Sequence, residues 1–155
     1  MFTEFQFLAA QQLLKKLYET CCEPIFRQYG LTRMELDVLM ILAEKKDIET
    51  AGELSARLGF TKSHVSKAVE SLSRRGLLNT CPDSVDHRRV CLQICDAAKP
   101  IISEGFRAQR KLADYLYQGM DEREQKQFDT YLVRAVKAAQ MALAKESEEM
   151  SNGTV

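Results

Sequence analysis

The chain has no tryptophan, two histidines, three prolines and seven glycines in 155 residues, and none of its apolar runs approaches the roughly 18 residues needed to cross a bilayer. It also lacks a glycine-rich phosphate loop, an HExxH pair and a G-x-S-x-G elbow, and neither histidine stands in a nucleophile arrangement, which argues against an enzyme. The five cysteines are irregularly spaced and none form a CxxC pair. An odd, unframed set of thiols fits a reducing compartment better than a secreted disulfide scaffold. Cys21 and Cys22 are adjacent, so on a helix they cannot both face one ion, and neither metal nor cofactor is expected. The start, Met1-Phe2-Thr3-Glu4-Phe5, has no basic leader. The expectation is a cytoplasmic protein with no membrane partner.

Charge of one sign is missing as well, since 22 basic residues offset 22 acidic ones. Taken by position, however, residues 57–95 hold seven basic and three acidic groups, while both flanks are net acidic. A local basic surface suffices for phosphate contact, and acidic flanks keep non-specific binding weak and salt-sensitive. What is present, 45% hydrophobic and 28% charged residues, fits one globular domain able to bury a core.

The most informative stretch runs from Thr50 to Arg89. A first short helix is expected over Ala51 to Leu58, with Ala51, Leu54, Ser55 and Leu58 on one face and Gly59 as its left-handed stop. A second follows the N-cap Thr61 and runs to Arg75, with Gly76 behind it. On it Val65, Ala68, Val69 and Leu72 share a stripe, while Ser63, His64, Ser66, Lys67, Ser71, Arg74 and Arg75 lie elsewhere, opposed only by the acid Glu70. Ser55, Gly59 and Val65 fit a helix-turn-helix, which needs a small residue at the crossing, a glycine in the turn and a β-branched core residue after it. The same spacing also suits plain core packing.

Before this stretch, Phe5, Leu8, Ala9, Leu13, Leu17, Cys21, Ile25 and Phe26 form a helical stripe to Tyr29, with a kink or break expected at Pro24. Thr32 and Glu35 form a capping box, with Leu31 and Leu36 as a staple, for a buried helix reaching about Glu44. Lys45-Lys46-Asp47 reads as a turn, Ile48-Glu49 as a very short strand, and Thr50-x-x-Glu53 as a second capping box. After the stretch, Ile101, Ile102, Phe106, Leu112, Tyr115 and Leu116 mark a helix closed by Gly119. A last helix opens on the acidic cap of Asp121 to Glu124 and carries Phe128, Leu132, Ala135, Val136, Ala139 and Leu143. Residues from Glu146 onward read as a frayed tail.

Leu77-Leu78-Asn79-Thr80-Cys81 and Arg89-Val90-Cys91-Leu92-Gln93-Ile94 read as two strands around the polar tip Pro82 to Arg88. The sequence here resembles the MarR family of winged-helix transcriptional regulators. The resemblance rests on Glu53-Leu54-Ser55 through Gly76-Leu77-Leu78, then Asp83-x-x-Asp86-x-Arg88 and Leu92-x-Ile94. It departs from the family pattern at His87, where an arginine is common, and at Cys95 and Ala98, where threonine and glycine are common; Asp96 then becomes the candidate cap of the following helix.

The resemblance implies a mainly α fold with a small β-wing. A winged helix-turn-helix DNA-binding lobe would occupy about 32–95, dimerisation helices about 3–29 and 96–147, and a flexible tail 148–155, all within one domain over 1–147. It implies a homodimeric repressor that binds double-stranded DNA at a pseudo-palindromic operator. Helix geometry puts Lys62, Ser63, His64, Ser66 and Lys67 nearest the bases, with Thr61 capping the helix and donating to phosphate. Arg74 and Arg75 would either touch phosphate or cap the helix end, and Arg88, oriented by Asp86 and followed by Arg89, would reach the minor groove. Release would come from a small aromatic or phenolic effector, with Tyr29, Met34, Met40 and Phe106 as candidate lining or ordinary core, or from thiol oxidation. A hairpin symmetric about Asp86 sets Cys81 opposite Cys91, as a redox pair or as two inert strand thiols. The rival to a DNA-binding regulator is a helical interaction module that kept the winged helix and lost DNA.

Overall fold

A computed structural model describes residues 3–45, 50–82 and 90–152. Its order is α1 (Glu4–Tyr29), α2 (Arg33–Glu44), α3 (Ala51–Leu58), α4 (Lys62–Arg74), β1 (Leu78–Pro82), β2 (Val90–Ile94), a short 3-10 turn (Asp96–Ala98), α5 (Lys99–Leu116) and α6 (Glu122–Asn152). The expected strand at Ile48-Glu49 and the tip residues Asp86, Arg88 and Arg89 lie outside the described residues. No helix among the described residues is long and apolar enough to cross a membrane.

Side chains that satisfy orphan amides set the helix starts. Thr32 accepts from the Glu35 amide at 3.3 Å while Glu35 Oε2 accepts from the Thr32 amide at 2.6 Å, and Thr50 with Glu53 repeats the arrangement at 3.2 and 3.0 Å. Asp121 caps α6 by accepting from the amides of Arg123 and Glu124, both at 2.9 Å. A box at Thr3 and Gln6, not read from the sequence, starts α1. That helix continues through Pro24 without a break; buried Cys21, Cys22 and Ile25 hold the turns on either side. α6 also differs from expectation, running on as helix to Asn152 where a tail was expected from Glu146. Glu, Ser, Met and Lys are tolerated in helices, Lys145 pairs with Glu149 at 3.8 Å, and no glycine interrupts until Gly153. After β2 the first turn is 3-10, and the carboxylate of Asp96 is held by Lys99 at 2.6 Å.

The chain divides into two compact units, Met1–Ala113 and Asp114–Val155. In the first, α2 is the buried centre: Leu36, Val38 and Leu39 are inaccessible, and they share one core with Leu54 of α3, Val65 and Leu72 of α4 and Leu78 of β1. The two strands are antiparallel, with Leu78 opposite Ile94, Thr80 opposite Leu92 and Cys81 opposite Cys91, and Thr50 adds a bridge to Cys91. Alternation places Leu78, Leu92 and Ile94 toward the core and Cys81 with Cys91 on the opposite face. In the second unit Tyr117 packs edge-on against Phe128, centroids 6.2 Å apart, and its hydroxyl donates to Asp129 at 2.6 Å.

Candidate nucleic-acid interface

α3 and α4 are joined by a tight turn. Gly59 adopts φ +65°, a left-handed conformation that costs side-chain-bearing residues roughly 1–2 kcal/mol. Ser55, almost buried where the helices meet, donates its hydroxyl to the carbonyl of Phe60 at 2.6 Å and closes the turn from inside. Thr61 then caps α4, its Oγ1 accepting from the His64 amide at 3.4 Å. Accepting leaves the Thr61 hydroxyl proton free to donate outward.

With Val65, Ala68, Val69 and Leu72 buried, the remaining faces of α4 are turned outward. Lys62, Ser63, His64, Ser66, Lys67 and Arg74 are exposed, as is Glu70. Two cations, an imidazole and two hydroxyls thus surround the positive end of a 13-residue helix, a ready anion-facing surface.

Arg75 is placed differently from the other basic residues. Its guanidinium reaches back to α1, with Nη1 donating to the Gly30 carbonyl at 3.2 Å and Nη2 to the carbonyl of Tyr29. Its side chain thus caps the C-terminus of α1, while its backbone N–H closes α4 by donating to the carbonyl of Ser71. One turn earlier on α4, Ser71 hydrogen-bonds the buried Glu35. Burial alone would raise the Glu35 carboxyl, but the bonds from Ser71 and Thr32 and the charge of Arg75 hold it below the usual carboxylate range. Nothing in the sequence pattern signals this tether, because residues 30 and 75 are brought together only by tertiary packing.

Beside α4 lies a cavity of about 730 Å³, within the size range of small-molecule sites, lined in part by Arg33, Met34, Asp37, Phe60, His64 and Lys67. Tyr18 donates to Asp37 at 2.6 Å, and Arg33 bridges Glu19 at 2.8 Å and Asp37 at 3.4 Å while lying over the Tyr18 ring at 5.1 Å. Burial pushes the Asp37 carboxyl above its usual range in spite of these partners. Of Tyr29, Met34, Met40 and Phe106, only Met34 lines this cavity. Met40 is buried with its sulfur over Gly105, Phe106 packs on the core, and the Tyr29 hydroxyl donates to Glu104 at 2.9 Å. Among the described residues no cluster of three or more His, Cys, Asp or Glu could hold a metal.

A helix pair with this turn, followed by an antiparallel strand pair, coincides with a match to the MarR family model over residues 29–89. Over this segment the chain is similar to the MarR family. The transcriptional regulator AdcR of Streptococcus pneumoniae is 38% identical over 77 residues, which is 50% of this chain and 51% of that protein. The chain thus matches only about half the length of this curated relative. The solved structure of a MarR protein from Peptoclostridium difficile superposes with a TM-score of 0.79 at 17% identity, covering 92% of this chain and 93% of that one. A Staphylococcus aureus MepR structure, solved as a DNA complex, gives 0.66 at 17% identity, covering 89% and 97%. At such identities the likeness carries the MarR fold, winged helix included.

Proposed function

We propose that the chain is a sequence-specific, DNA-binding transcriptional regulator, with α4 entering the major groove. The observation that carries this is the exposed Lys62, Ser63, His64, Ser66 and Lys67 around the N-terminus of a helix whose other stripe is buried. Arg74 lies further from the bases, and phosphate is its natural partner. Asp86, Arg88 and Arg89 of the tip are proposed as the wing contact on the family resemblance. A helical module without DNA has no use for this unbalanced cationic face, so the regulator reading is preferred. Selection from a random-sequence duplex library tests it. Enrichment of one motif, lost with Lys67→Ala, is expected; no enrichment would contradict the reading.

The regulator acts as a homodimeric repressor. The support is apolar surface left open on α1, where Phe5, Phe7, Leu8 and Leu13 are 78%, 64%, 56% and 66% exposed. On α6, Tyr131, Val133, Met141 and Leu143 are likewise exposed. Patches of this kind mark surfaces that pair.

Two release routes fit the geometry. A small aromatic or phenolic effector in the cavity beside α4 would touch His64 and Lys67 and favour a helix placement that DNA does not match. Benzoate, used as a probe, should displace the selected duplex, and unchanged anisotropy across its titration would contradict this route. Oxidation is the second. Peroxide converts one thiol of the Cys81 and Cys91 pair to sulfenic acid with loss of water, and the other thiol displaces a second water to form the disulfide. Mass spectrometry after peroxide should find the two joined; both cysteines still reduced would dispose of this route.

A further inference from the structure

The two ends of α4 are held in different ways. Its N-terminal turn carries the exposed polar side chains, whereas its C-terminal turn is tied by Arg75 to the carbonyls of Tyr29 and Gly30 and by Ser71 to Glu35. The buried stripe of Val65, Ala68, Val69 and Leu72 seats the helix, but apolar burial is non-directional and tolerates small tilts. Hydrogen bonds do not, because they weaken steeply with misalignment. From the tie to the N-terminal turn the helix spans about 20 Å, so a tilt of about 5° at the tied end shifts the other by roughly 1.7 Å. That is more than a base-edge hydrogen bond accommodates.

We infer that Arg75 is a positioning residue for DNA reading: it fastens α4 to the end of α1 and so fixes the angle at which Lys62 to Lys67 meet base edges. This inference rests on the DNA-binding reading. It also separates Arg75 from its neighbour Arg74: both are exposed, but among the described residues only Arg75 is bonded to the end of α1. A guanidinium is suited to the task, since its planar fork reaches two carbonyls at once, while an ammonium is a point charge.

The test is a fluorescence anisotropy titration at several salt concentrations, using the duplex selected by the wild-type protein and an unrelated duplex of equal length. Arg75→Ala should weaken binding to the selected duplex by about tenfold or more, the scale of losing a base contact, and leave the unrelated duplex and the salt slope unchanged. Arg75→Lys should restore only part of the loss. Arg74→Ala serves as the contrast: as a phosphate contact it should weaken both duplexes alike and lower the salt slope by about one. Ser71→Ala, which removes the second tie without touching charge, should reproduce the Arg75→Ala pattern in milder form, and it carries the test if Arg75→Ala fails to fold. The inference is overturned if Arg75→Ala lowers the slope by about one and weakens both duplexes equally, or if Arg75→Ala and Ser71→Ala both bind as wild type does. A wild-type protein that selects no duplex would instead sink the DNA-binding reading, and this inference with it.

Discussion

Asp37 and Glu35 sit two residues apart on α2 and respond to pH in opposite senses. Asp37 is raised because it is buried, so the stability it contributes is full below the ordinary carboxyl range and is lost as pH rises through its raised value. Glu35 is held low by Ser71, Thr32 and Arg75 against its own burial, so its contribution is present above the ordinary range and lost as pH falls through the lowered value. Urea melts of Asp37→Asn should therefore lack the decline in stability that the wild type shows just above the ordinary carboxyl range; an identical pH profile would contradict the placement of Asp37. Leu54, fully buried at the α3 face, is the plainest core prediction, with Leu54→Ala expected to cost about 2–5 kcal/mol in the same melts. At this scale some roles were open to a reader of the sequence and others were not. Thr32 with Glu35 announces its box through local spacing alone. The Arg75 tether and the assignment of Met40 to the core beneath α5 depend on partners distant in sequence, which no periodicity reveals.

Among the elements, the turn between α3 and α4 decides how the helix pair is presented. Gly59 is left-handed there, and a Cβ on it would meet nothing within 4 Å, so the cost of Gly59→Ala is backbone strain alone, about 1–2 kcal/mol, without a clash. Gly105 is the converse case: its backbone is ordinary, but an added methyl would run into the sulfur of buried Met40. Gly105→Ala should cost about 1–3 kcal/mol through overpacking, and a Met40→Ala, Gly105→Ala double variant should recover part of that difference; strict additivity would contradict the packing account. The helix starts, the α4 stripe and the strand pair were legible because each follows from short-range periodicity and turn chemistry. Element ends were read less well. α6 outruns its expected limit because its tail residues are polar without being helix breakers, and α1 passes Pro24 because packing on both sides outweighs one lost hydrogen bond.

For the whole molecule, the division at Ala113 and Asp114 accompanies a difference in burial. The core belongs to the first unit, while α6 exposes its stripe along much of its length. A single chain of 17.7 kDa leaves these apolar faces in water, and sedimentation equilibrium should accordingly report twice that mass. Leu13→Glu, which puts charge on the exposed α1 face, should shift the mass toward the monomer; unchanged sedimentation would contradict the pairing of that face. A two-fold dimer presents two copies of α4, and the operator must then share its symmetry. Hydroxyl-radical footprinting of the wild-type protein on its selected duplex tests this most directly. The account predicts two protected half-sites related by a dyad and separated by about one helical turn, roughly 10 bp centre to centre. One protected half-site without dyad symmetry would contradict it.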